Sequence, residues 1–97
     1  MCGIAGAYNV HNASYCVSVM LKALQHRGQE AAGILSNDDN KRMHVHKDFG
    51  LLDEVFRGIE LPKTLPGSIA IGHVRYSTTG ERSLDNIQPF VAHQRDG

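Results

Sequence analysis

The chain has 97 residues, 41% hydrophobic and 21% charged, the proportions of an ordinary folded domain rather than of a disordered segment. Ten Lys and Arg balance ten Asp and Glu, so net charge gives no hold on nucleic acid or an anionic membrane surface. No apolar run reaches bilayer-spanning length and no secretory signal opens the chain, which sets the expectation of a cytoplasmic protein that binds neither membrane nor nucleic acid.

In chain order, Ile4 to Tyr8 predicts a short buried strand, and Asn9 to Asn12 supplies a polar break and a helix cap. Val17, Met20, Leu21 and Leu24 then fall at i, i+3, i+4 and i+7, one face of a helix that Gly28 stops. Ala31 to Ser36, the turn Asn37-Asp38-Asp39-Asn40, and the alternating Arg42 to Lys47 read as a β-hairpin. Leu51, Leu52, Val55 and Phe56 have helical spacing, whereas the two prolines between Leu61 and Gly67 predict a loop without regular structure. Ser68 to Val74 is a strand in which Ile69 and Ile71 alternate with Ala70 and Gly72, delivering His73, Arg75 and Tyr76 to its far end. Together these elements predict an α+β layer architecture with helices covering antiparallel sheet.

The chemistry is concentrated at the first residues, Met1-Cys2-Gly3-Ile4-Ala5-Gly6. Removal of Met1 leaves a thiol and a free α-amine on one residue, and an amine of pKa about 7.7 to 8.0 is partly neutral near pH 7 and able to take the thiol proton. The bland alternative is a small apolar residue opening a strand. Of the two cysteines, Cys2 and Cys16, the second reads as structural, and two free thiols are expected in place of a disulfide. His44 and His46 lie two apart on one strand without a third ligand of matching spacing, so no metal site is expected. His73 reads as a hydrogen-bonded structural residue near the site.

Three segments, Met1-Cys2-Gly3-Ile4-Ala5-Gly6, Gln25-His26-Arg27-Gly28-Gln29-Glu30-Ala31-Ala32-Gly33 and Gly72-His73-Val74-Arg75-Tyr76-Ser77-Thr78-Thr79-Gly80, closely resemble the class II glutamine amidotransferases. Their glutaminase domain is an N-terminal nucleophile hydrolase. The second and third segments are most similar to those of the amidophosphoribosyltransferase family. The resemblance implies an αββα layered sandwich, incomplete here, with residues 1–97 forming the N-terminal part of a glutaminase domain. It implies that Cys2 attacks the side-chain amide of glutamine and releases ammonia through a glutamyl thioester that water hydrolyses. Arg75 would grip the glutamine α-carboxylate with paired donors and a permanent charge, Thr78 and Thr79 would add hydroxyl contacts, and Arg27 and Gly28 would form a corner close to the nucleophile. For Arg75 the alternative is a surface ion pair; for Arg27 and Gly28 it is an ordinary helix stop.

The same resemblance implies parts that this sequence lacks. An asparagine-glycine pair supplying oxyanion donors and an aspartate holding the glutamine amino group have no counterpart before Gly97. A phosphoribosyltransferase domain would use the ammonia on phosphoribosyl pyrophosphate, with magnesium, to form phosphoribosylamine in purine synthesis, and it too is absent. The sequence carries no cofactor site of its own and leaves iron–sulfur content open; the full-length enzyme is expected to be a homo-oligomer. Two alternatives stay open at this point: the glutaminase part of another class II amidotransferase, such as a sugar-phosphate type, and a noncatalytic interaction fragment.

Overall fold

The computed structural model describes residues 2–24 and 29–76, with Cys2, Gln29 and Tyr76 described by their backbone alone. The elements run β1 (Cys2–Tyr8), α1 (Ala13–Leu24), β2 (Gln29–Asn37), β3 (Met43–Phe49), α2 (Leu52–Val55), α3 (Leu61–Thr64) and β4 (Ile69–Tyr76). The four strands of the described residues form one antiparallel sheet in the order β1-β4-β2-β3. The last strand therefore inserts between the first two.

Ala13, Val17 and Leu21 recur every fourth residue along α1 and are wholly buried, which is the stripe that seats the helix on the sheet. Beneath it β1 and β4 carry only small residues at several inward positions, among them Ala5, Ala70 and Gly72. The helix sits close enough that a Cβ on Gly72 would lie 2.6 Å from Val17 Cγ1 and 2.7 Å from Leu21 Cδ1. Ile34 and Ala32 on β2, Val74 on β4, Leu52 and Val55 on α2, and Leu65 complete the core.

The link from β1 to α1 turns through left-handed Asn9 and Asn12 (φ 58° and 55°), a conformation that asparagine tolerates. The Ala13 N–H, one of the unpaired donors at the start of α1, is taken by the Gly67 carbonyl at 3.3 Å. In the hairpin, Asp38 Oδ1 accepts the N–H of Asn40 at 2.8 Å and of Arg42 at 2.9 Å, while Oδ2 accepts from His44 Nε2 at 2.8 Å. The two histidines expected on one strand face are thus engaged separately, since His46 Nε2 donates to the Val55 carbonyl at 2.8 Å and stacks edge-on to Phe56.

The loop expected between Leu61 and Gly67 is corrected. The segment from Leu61 to Gly67 holds a helical turn, α3, because Pro62 falls in its first turn, where no N–H is needed. On β4 the side turned to the core is Ala70, Gly72 and Val74, while Ile69 and Ile71 lie on the opposite, open face. That face also exposes Ile4, Tyr8, Met43 and Val45. One helical layer on one sheet with an apolar open face is an incomplete layered sandwich.

Candidate functional site

The register brings the three motifs onto three adjacent strands. Cys2 on β1 stands opposite Arg75 on β4, and Arg75 stands opposite Ala31 on β2. The next row along the sheet is Ile4, His73 and Gly33. β4 is thus the axis of the site, and the sequence arranges this by placing its only strand with His73 and Arg75 between the strands that carry Cys2 and the Ala31-Ala32-Gly33 run.

The small residues of the second motif have a positional reason. Ala32 points to the core, while Ala31 and Gly33 flank Arg75 and His73 on the open face with almost no side-chain bulk. At this end the β2–β4 pairing slips between Gln29 and Ala31. Such a bulge bends a strand and re-aims its residues; the Glu30 carbonyl there accepts the Gly50 N–H at 2.7 Å.

Arg75 is half-buried. His73, read from the sequence as a hydrogen-bonded structural residue, is buried at 5% exposure, but its Nδ1 has no hydrogen-bond partner. Burial, and secondarily the positive field of Arg75, push its pKa below the usual imidazole range, so it is neutral at pH 7. A buried polar atom left unpaired costs about 1–3 kcal/mol, and sequence reasoning missed it because nothing in the alternation of β4 distinguishes His73 from an exposed polar residue.

Arg27, Gly28, Thr78 and Thr79 lie outside the described residues. Cys16 on α1 is a half-buried free thiol. No group of three metal-binding side chains gathers among the described residues, and none of their helices is long and apolar enough to cross a membrane. A hollow of about 290 Å³ lies elsewhere, between α1 and the short helices, lined by Tyr15, Val19, Phe56 and Ile59 among others.

No protein-family model matches the sequence. Curated relatives do. The chain is 52% identical over 96 residues to a chloroplastic amidophosphoribosyltransferase of Vigna aconitifolia, covering 99% of this chain and 19% of that protein. It is 46% identical over 99 residues to the amidophosphoribosyltransferase of Methanocaldococcus jannaschii, covering 100% of this chain and 21% of that one. Among solved structures, glutamine phosphoribosylpyrophosphate amidotransferase from B. subtilis, complexed with ADP and GMP, superposes with a TM-score of 0.82 at 39% identity, over 97% of this chain and 20% of that chain. The structure of the allosteric regulatory enzyme of purine biosynthesis gives a TM-score of 0.84, also at 39% identity, over 96% of this chain and 20% of the other. The chain spans about a fifth of the length of the relatives it matches.

Proposed function

We infer that this chain, which belongs by sequence and fold among the amidophosphoribosyltransferases, carries the nucleophile and the carboxylate clamp of a glutaminase domain. The single observation that carries the reading is the β1–β4 register, which sets Cys2 opposite Arg75. Opposed positions in an antiparallel pair belong to one face of the sheet, with Cβ atoms about 4.5–5.5 Å apart. That spacing suits one amino-acid substrate held at its carboxylate while its side-chain amide reaches the thiol.

On this reading mature Cys2 gives its thiol proton to its own α-amine and attacks the amide carbon of glutamine. The proton returns to the leaving nitrogen, ammonia departs, and a γ-glutamyl thioester forms. Water, deprotonated by the same amine, cleaves the thioester to glutamate and restores the thiol. Arg75 offers the α-carboxylate a planar pair of donors. Thr78 and Thr79 add hydroxyls, and Arg27 and Gly28 form the corner beside the nucleophile. The tetrahedral oxyanion needs donors beyond this set, and a span of about a fifth of the relatives' length supports reading residues 1–97 as the N-terminal part of such a domain.

The acceptor of the ammonia is phosphoribosyl pyrophosphate, bound with magnesium in a phosphoribosyltransferase part of the longer protein, giving phosphoribosylamine for purine synthesis; the names of the relatives support this. His44 and His46 are engaged by Asp38 and by the Val55 carbonyl. We place the protein in the cytoplasm as a homo-oligomer, a reducing setting that suits the free thiol of Cys16.

The test is covalent labelling by the glutamine-mimicking electrophile 6-diazo-5-oxo-norleucine, read by intact and peptide mass spectrometry with Cys2→Ala as control. An adduct confined to Cys2 on chains lacking Met1 is expected. No adduct, or equal labelling of Cys16, would overturn the assignment in favour of a noncatalytic fragment.

A further inference from the structure

We propose that His73 is a positioning residue of the glutamine site, a buried imidazole that holds the Arg75 side chain in the orientation the substrate α-carboxylate requires. The proposal rests on the assignment of Arg75 made above. His73 and Arg75 are two residues apart on β4, so they occupy successive rows of the same open face. Across the sheet His73 stands between Ile4 on β1 and Gly33 on β2.

Among the described residues of this face His73 is the polar residue that is buried, beside the small Ala31 and Gly33, which are buried as well. The apolar side chains beside it, Ile4 and Ile71, are 73% and 48% exposed, whereas the imidazole is 5% exposed. A sheet face shaped by folding alone places its apolar groups inward and its polar ones toward water; here the order is reversed at one position, and the buried group has an unpaired Nδ1. A fully buried polar atom without a partner calls for an explanation beyond stability. Gly33, directly opposite, is the residue that adds no side chain to the space beside the ring.

Burial first, and then the positive charge of Arg75, disfavour the protonated form of His73. Arg75 is its neighbour on β4, and Lys47 ends its row on β3. The β2 positions on this face, Ala31, Gly33 and Leu35, carry no charge, and on β1 the titratable positions of this face are Cys2 and Tyr8. A neutral ring packs beside a guanidinium without repulsion and leaves Nδ1 to accept from Arg75, or to share a hydrogen bond with a bridging water, once the carboxylate docks. A protonated ring there would repel Arg75 and compete for the same carboxylate.

The experiment uses the complete gene product that contains this segment and measures labelling of Cys2 by 6-diazo-5-oxo-norleucine against reagent concentration and pH, separating KI from the maximal labelling rate. His73→Ala is expected to raise KI about tenfold or more with the maximal rate within about threefold of wild type. On acidification the wild-type KI is expected to rise; His73→Asn, which restores a polar atom near Nδ1 without a titratable proton, is expected to keep KI within about threefold and to abolish that rise. A His73→Ala protein with the wild-type KI overturns the proposal, as does a His73→Asn protein that keeps the acid rise. Should His73→Ala fail to fold, the pH profile of His73→Asn decides alone. A wild type that labels Cys2 not at all would instead overturn the glutaminase reading itself.

Discussion

Arg75 stands directly opposite Cys2 in the β1–β4 register, two residues separated by 73 positions of sequence and brought together by the insertion of the last strand beside the first. A charge-assisted, two-pronged contact to a carboxylate is worth about 1.5–3 kcal/mol. Arg75→Ala is therefore expected to raise the KM for glutamine about 10- to 100-fold. Arg75→Lys keeps the charge but loses the planar fork and falls in between. An unchanged glutamine KM in Arg75→Ala, measured as glutamate release, would remove Arg75 from the clamp.

Much of this arrangement is legible in the residues, and what is not has identifiable causes. The stripe Val17, Leu21 gives α1, and the break from Asn37 to Asn40 gives the hairpin, because both depend on local periodicity and turn chemistry. Strand order is different: nothing in residues 69–76 says that they insert between β1 and β2, since pairing partners are set by long-range burial. The motif resemblance marks Cys2 and Arg75 but does not set them in register. The burial of His73 is invisible for the same reason, being a property of what lies across the sheet. Pro62 misleads by its residue type, as its position in a first turn is compatible with helix.

The Asp38 carboxylate ties the hairpin by accepting three hydrogen bonds, from two turn N–H groups and from His44. The His44 contact first, then the Arg42 N–H, hold its carboxyl below the usual aspartate range. A carboxylate with a depressed folded pKa contributes stability that is present above its unfolded value and is lost as pH falls through the folded one. Acid unfolding monitored by circular dichroism is expected to show this loss below about pH 4, and Asp38→Asn is expected to flatten it while lowering Tm near neutrality. An acid limb identical in Asp38→Asn and wild type would show that the tie carries no linkage.

Gly67 and Gly58 both have positive φ, at 116° and 76°, but their surroundings differ. A Cβ on Gly58 meets nothing within 4 Å, whereas one on Gly67 would fall 1.9 Å from the Asn37 carbonyl oxygen and 2.8 Å from Asp38 Cα. Gly58→Ala should thus cost only its backbone strain, about 1–2 kcal/mol. Gly67→Ala adds a clash with main chain that cannot rotate away, and it also displaces the carbonyl that receives the Ala13 N–H. We expect a loss clearly larger than that of Gly58→Ala in chemical denaturation; equal losses would mean that the β2–β4 end yields more easily than its geometry implies.

Gly72 links packing to the site, because it lies in the strand that carries His73 and Arg75. Its missing side chain lets Val17 and Leu21 approach to 2.6 and 2.7 Å of where a Cβ would be. Gly72→Ala must push α1 off β4 or force those side chains from their rotamers, at about 1–3 kcal/mol. Val17→Ala alone removes buried methyl groups and is also destabilising. Made together, the two changes put one methyl where others have left, so the double variant should be more stable than the sum of the single losses, by about 0.5–3 kcal/mol of coupling. The same pair reads out the site, since a displaced β4 carries Arg75 away from Cys2. Labelling of Cys2 by the glutamine mimic should therefore fall in Gly72→Ala and recover in the double variant. Strict additivity in stability would place the clash elsewhere, and labelling that stays low after stability recovers would show that the β1–β4 register depends on Gly72 for some reason other than the seat of α1.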